Sequence, residues 1–178
     1  MDSLTFRQAI DRSEYETAIE EEDVETVGFA FAQDAVIYIV KQYSTAGERV
    51  TEELESDGTP VKLKRTPARI IDIEGLSANT GYELLPDGSI ILPKGTWTIV
   101  YTAFPEMGNL TPDNKIPLPP MFAEAVHWYV SCKYCARFEG QAGTQTQYYA
   151  EAYNNAAREA EHFYAAQTRK RRMPCRRC

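Results

Sequence analysis

The chain has 178 residues, with 19 Lys and Arg against 26 Asp and Glu, a formal charge of −7 at pH 7. A chain of this length is expected to form one domain that buries about 70% of its unfolded surface, so its four cysteines are not needed as a disulfide framework. The opening stretch MDSLTFRQAIDRSEYE is too polar for a secretory signal, and no apolar run approaches the ~20 residues that span a membrane, so a reducing, cytosolic setting with free thiols is expected.

Leu4, Phe6 and Ile10 predict a short N-terminal helix with Asp2 or Ser3 as its cap. The acidic run Glu20–Asp23 follows. A stronger helix is then predicted over DVETVGFAFAQDAVIYIVKQY, where Val24, Val27, Gly28, Phe31, Ala35, Tyr38 and Ile39 recur at helical spacing. Asp23 is its expected N-cap, and Lys41 suits the negative end of its dipole. The carboxylates clustered at 14–25 and 48–57 read as solvated charge without an EF-hand's spacing.

From about Thr59 the period changes to two. VKLK, RIIDIE, GYELLPDGSIILP and TWTIVYTAF predict a small antiparallel β insertion, with a turn at Pro86-Asp87-Gly88. Pro60 and Pro67 make its first strand an edge or a broken strand. A proline-rich loop over 105–120 leads into the helix MFAEAVHWYVSCKYCARFEG, which is expected to bury Phe122, Ala125, Val126, Tyr129, Cys132 and Ala136. GQAG breaks that helix. The next, QTQYYAEAYNNAAREAEHFYAAQ, carries Tyr149, Ala152, Tyr153, Ala156, Ala160, Phe163 and Tyr164 on one stripe, so the two form an antiparallel helical hairpin.

The expected fold is therefore α+β and mainly helical. One domain occupies 1–168, with helices over about 4–43 and 121–167 and the β insertion over about 59–104. Residues 169–178 form a separate arm. That arm, RKRRMPCRRC, holds six basic residues and no acidic one, which leaves 13 basic against 26 acidic groups in the first 168 residues. An acidic body repels nucleic-acid phosphate, whereas the arm either seeks an anionic surface or is a solvated, disordered terminus.

No phosphate-binding loop, dinucleotide fingerprint or hydrolase motif occurs, and the chain is expected to be neither an enzyme nor a cofactor binder. His127 and His162 are each placed on the polar side of a helix as surface residues. Two CxxC pairs, Cys132/Cys135 and Cys175/Cys178, spell a zinc ribbon, but the first lies within a helix rather than a tight turn. The end of the last helix, near Gln167, falls ~28 Å from Cys135 along the hairpin, and the residues on to Cys175 span at most ~28 Å fully extended. A zinc site within one chain is therefore disfavoured, and these four cysteines are the only metal candidates.

Three stretches carry a family resemblance: FAFAQDAVIYIVKQY, then GSIILPKGTWTIVYTAFP, then IPLPPMFAEAVHWYVSCKYCARFEG followed by YYAEAYNNAAREAEHFY. Over roughly residues 4–167 the chain resembles the head–tail adaptor (connector or head-completion) proteins of tailed bacteriophages. The resemblance implies a virion protein at the head–tail junction, present in the host cytoplasm during assembly. It implies a homo-oligomeric ring, usually of twelve copies, docked between portal and tail proteins, with double-stranded DNA passing through without specific binding. It implies no catalytic residue. Mapped onto this chain, the portal-docking arm is Arg169, Lys170, Arg171, Arg172, Arg176 and Arg177. The aromatics Trp128, Tyr148, Tyr149, Tyr153 and Tyr164, with Tyr129, exceed what one hairpin face buries and are the subunit-interface candidates; the alternative is that the β insertion covers them. The competing functions are a nucleic-acid-binding protein that uses the basic tail and a zinc-stabilised module.

Overall fold

A computed structural model describes residues 3–18, 24–76 and 81–172. It contains four helices and two small antiparallel sheets, about 47% helix and 23% strand, an α+β protein. The chain forms two compact units: one from Met1–Ala46 together with Glu106–Cys178, the other from Gly47–Pro105.

The first unit holds the helices. Helix α1 (Phe6–Thr17) starts at a capping box: the Gln8 backbone N–H donates to the Thr5 hydroxyl at 3.2 Å, and the Thr5 N–H donates to Gln8 Oε1 at 3.0 Å. The cap is thus Thr5, not Asp2 or Ser3, because Thr5 has the glutamine three positions on that completes the box. The proline-rich loop satisfies the next donors of the first turn. Phe6 N–H donates to Asn114 O at 3.1 Å and Arg7 N–H to Pro112 O at 2.7 Å, while Ile116 N–H returns a bond to Leu4 O at 2.8 Å. Helix α2 (Val24–Gln42) carries Lys41 in its last turn, as expected, while its proposed cap Asp23 lies outside the described residues. The chain after α2 is tied to α4 (Thr144–Arg172), where the Glu161 carboxylate accepts from the Thr45 N–H at 3.2 Å and from the Ser44 hydroxyl at 3.1 Å.

Helix α3 (Pro120–Glu139) opens with Pro120 in its first turn and is packed against α1, α2 and α4. Its buried residues are Phe122, Ala123, Ala125, Val126, His127, Val130, Ser131, Tyr134 and Cys135, and at ~100° per residue they go most of the way round its axis. The burial expected for Tyr129, Cys132 and Ala136 is only partial. Along α4, Cys132 meets Thr146, Tyr129 meets Tyr153, and Phe122 stacks on Tyr164 with ring centroids 5.8 Å apart.

The second unit has its own core of Ile73, Ile90, Leu92, Ile99, Tyr101 and Ala103. Strands β1 (Glu48–Ser56), β6 (Gly95–Ala103) and β3 (Pro67–Glu74) form one sheet in the order β1-β6-β3. Strands β2 (Val61–Lys62), β5 (Ser89–Ile91) and β4 (Glu83–Leu84) form the other in the order β2-β5-β4. The edge position of β2 and the turn before Ser89 follow the sequence; Gly88 takes φ +81° there, and the Ser89 N–H donates to Asp87 Oδ1 at 2.9 Å.

Strand β1 corrects the reading of 48–57 as solvated charge. Val50 and Leu54 face inward, but so do Glu52 and Ser56, and those two polar residues break the apolar alternation that marks a strand. Both are satisfied inside: the Glu52 carboxylate accepts the Lys64 N–H at 3.2 Å, and Ser56 Oγ donates to Leu92 O at 2.8 Å.

Three helices converge at Gly28. A β-carbon there would lie 2.9 Å from Ile10 Cγ2 of α1 and would collide with the Tyr134 hydroxyl of α3. Alanine at this position would gain about 1 kcal/mol in helix propensity, but crowding a packed core costs about 1–3 kcal/mol. Gly28→Ala is therefore expected to lower stability in urea unfolding and Gly28→Val to lower it further; a stabilised Gly28→Ala would contradict the close approach.

Candidate functional site

The helical unit offers two features with chemical content, a buried polar cluster and a set of exposed aromatics. The cluster forms where α1 crosses α3 beside the start of α4. Ser13, fully buried, places its hydroxyl oxygen 2.8 Å from both Ala9 O and His127 O. Ser131 Oγ donates to the same His127 carbonyl at 3.0 Å. The His127 ring lies against the Trp128 indole, centroids 4.3 Å apart, and its Nε2 is 3.7 Å from Glu16 Oε1. Tyr149 closes the cluster by donating its hydroxyl to Glu16 O at 2.9 Å and stacking on Trp128.

His127 is thus a core residue, only 5% exposed, and the expectation of a surface histidine is overturned. The reason is α1: it lies over the side of α3 that looked polar in sequence, and it brings Ser13 to the His127 carbonyl and Glu16 to the ring. Burial pushes the His127 pKa down, and Glu124 opposes that shift. Nδ1 makes no hydrogen bond. Burial also raises the Glu16 carboxyl, against the pull of Arg12. A neutral, partly unsatisfied imidazole between helices is a structural group with a pH-dependent cost.

The sequence-named interface candidates divide. Tyr148 is open to solvent, 61% exposed. Tyr149 and Tyr153 are buried, so neither ring is presented to a neighbour. Tyr153 sits among Tyr38 and Tyr129, where burial raises its hydroxyl pKa strongly, and its Oη has no hydrogen-bond partner. Trp128 and Tyr164 are half-buried; Tyr164 accepts the Met121 N–H at 3.3 Å. Neighbouring helices of the same unit supply the ring partners of these aromatics.

Exposed rings not among the sequence candidates are Tyr15 at 90%, Phe138 at 62%, Phe163 at 46% and Tyr38 at 42%, with Tyr82 at 45% in the β unit. Tyr15 was findable: the buried face of α1 runs through Phe6, Ala9, Ile10 and Ser13, and a residue two positions past Ser13 points ~200° away. Phe163 was placed on the buried stripe of α4, but that stripe runs through Thr146, Tyr149, Tyr153, Ala157 and Ala160, which turns Phe163 outward.

Arg169, Lys170, Arg171 and Arg172 fall within α4, which extends to Arg172 rather than ending near Gln167. Cys175, Arg176, Arg177 and Cys178 lie outside the described residues. Cys132 and Cys135 are free thiols, with Cys132 Sγ 3.6 Å from Thr146 O and Cys135 Sγ 3.7 Å from Gln145 Oε1. Burial raises both thiol pKa values, which disfavours the thiolate that metal binding and redox chemistry need. Among the described residues no group of three His, Cys, Asp or Glu is placed to hold a metal ion, and no helix is long and apolar enough to cross a membrane. Compared with protein-family models and with curated proteins, the chain matches none.

The lowered pKa of His127 fixes a sign. A group neutral in the fold and protonated when unfolded leaves stability intact above its unfolded pKa of about 6.5 and removes it as pH falls below that value. The raised Glu16 carboxyl acts in the opposite direction, nearer the carboxylate range. Unfolding free energy is expected to fall as pH drops below about 6.5, and His127→Gln should flatten that slope. An unchanged slope in the variant would mean that another group sets it.

Proposed function

We propose that this chain is a structural adaptor of a tailed-phage virion, assembling as a ring between portal and tail with DNA passing through it. The long hairpin of α3 and α4 would be the shaft of each subunit, and the basic C-terminal arm would dock on an acidic face of the portal. The observation that carries the reading is the exposure of Tyr15, Phe138, Tyr148 and Phe163 on a helical unit whose interior is already filled by other aromatics. Large rings left outside a filled core are the material of protein–protein contacts. Two further features support it. The layout of helices from both ends of the chain with an inserted β unit agrees with the resemblance noted from sequence. The acidic charge of the first 168 residues suits a wall that DNA must pass without adhering.

The ring contact would be heterologous, joining two different patches, and closing only at a fixed number of copies. Twelve is the number implied by the family.

The test uses the full chain and the portal ring of the same virus, mixed and separated by sedimentation. The wild type is expected to co-sediment with the portal. Tyr15→Ser combined with Tyr148→Ser should reduce the bound copies several-fold, while leaving the unfolding free energy within about 0.5 kcal/mol of the wild type, the range of ordinary surface substitutions. Replacing Arg171, Arg172, Arg176 and Arg177 by Ala should weaken docking and make what remains less salt-sensitive. No association with the portal by the wild type would overturn the proposal. Retention on DNA with a steep salt dependence that is lost on removing residues 169–178 would favour the nucleic-acid reading instead.

A further inference from the structure

The β unit leaves one strand edge well suited to pairing. The sheet order β1-β6-β3 puts β1 and β3 at the two edges. Their edges differ. Strand β3 begins at Pro67, and its register with β6 shifts twice, between Pro67 and Arg69 and between Ile70 and Asp72. Proline and bulges are the usual means of spoiling an edge. Strand β1 has neither: its nine residues pair with β6 in unbroken register from Glu48↔Ala103 to Ser56↔Gly95. Among the described residues, the backbone hydrogen bonds outside the sheet ladders include none from 48–56, so the outer N–H and C=O groups of β1 are open to another strand.

The side chains on β1 suit one partner. Arg49, Thr51, Glu53 and Glu55 are all exposed on the outer face, the face opposite inward-pointing Val50, Glu52 and Leu54. Arg49 and Glu53 stand two positions either side of Thr51. If a second β1 runs antiparallel with Thr51 opposite Thr51, each Arg49 falls opposite the other copy's Glu53, and the reverse pair repeats the contact. Opposite charges and Thr–Thr pairs directly across an antiparallel ladder are both favourable. On the inner row this register sets Val50 against Glu52 and keeps the two Glu52 carboxylates out of direct opposition. Shifting each strand by one residue would set Glu52 against Glu52.

We propose that β1 pairs with β1 of a second copy of this chain, antiparallel about a two-fold axis at Thr51, to give a six-stranded sheet and a dimer in solution. The contact is isologous, with the same patch on both copies, and so differs from the head-to-tail contact of a ring. It does not rest on the adaptor reading. A dimer without portal binding would sink that reading alone, and portal binding by a strictly monomeric protein would sink this one alone.

The test is a charge swap in the full chain, read by sedimentation velocity over a concentration series. The wild type is expected to dimerise. Arg49→Glu turns both attractive pairs into Glu–Glu contacts, and Glu53→Arg turns both into Arg–Arg contacts; each is expected to weaken the dimer at least about tenfold, about 1.4 kcal/mol. The double variant restores opposite charges in the same register and should recover the wild-type dissociation constant to within a few-fold. Circular dichroism of each variant should match the wild type, since both positions are exposed. A monomeric wild type would overturn the proposal. So would a dimer indifferent to either single reversal, or single reversals that the double variant does not rescue.

Discussion

Helix α3 carries buried side chains at nine positions spread round most of its axis, and a helix apolar on so many sides has to be enclosed rather than laid on a surface. That requirement organises the helical unit. Helix α1 covers the side with Ser13 and Glu16, α2 approaches closely enough to need Gly28, and α4 supplies Tyr149, Tyr153 and Tyr164. Because α1 and α2 come from one end of the chain and α3 and α4 from the other, the segment between them is free to fold around its own core of Ile73, Ile90, Leu92, Ile99, Tyr101 and Ala103. The proline-rich loop before α3 serves the same end, since its carbonyls at Pro112 and Asn114 take up donors of the first turn of α1.

Much of this was legible in the chain wherever one residue's neighbours in sequence decide its environment. The edge strand after Pro60, the Pro86-Asp87-Gly88 turn, the core face of β6 at Trp97, Ile99 and Tyr101, and the proline-started α3 all depend on local chemistry; the alternation along β6 is lost, because Val100 and Thr102 are buried as well. Legibility failed where a distant element changed the environment. His127 looked polar-sided because the periodicity of α3 cannot reveal that α1 lies over that face. Strand β1 looked like solvated charge because Glu52 and Ser56 point inward to partners at Lys64 and Leu92, far along the chain. Tyr153 looked available for a neighbour because the ring count of α4 says nothing of Tyr38 on α2.

The same enclosure that consumes those aromatics sharpens what is left. With Tyr149 and Tyr153 committed to the interior, the rings that remain outside on the helical unit are Tyr15 at the end of α1, Tyr38 on α2, Phe138 at the end of α3, and Tyr148 and Phe163 on α4. Tyr15 and Tyr148 fall toward one end of the helical unit, since Tyr149 donates its hydroxyl to Glu16 O, whereas Phe163 lies about four turns further along α4; two unlike patches suit a head-to-tail contact. The charge is divided as well, with an acidic body and a basic terminus on the same chain. Cys135 is a small buried group beside Gln145, and Cys132 is half-buried beside Thr146, so both are part of the packing of α3 on α4.

The central claim is that the aromatics left outside the filled helical unit are the contacts by which copies join around a portal. Cryo-electron microscopy of the full chain assembled on its portal ring tests this directly. A closed ring coaxial with the portal is expected, with Tyr15 and Tyr148 buried between neighbouring copies. A ring in which both side chains remain in solvent, or a portal left bare, would contradict it.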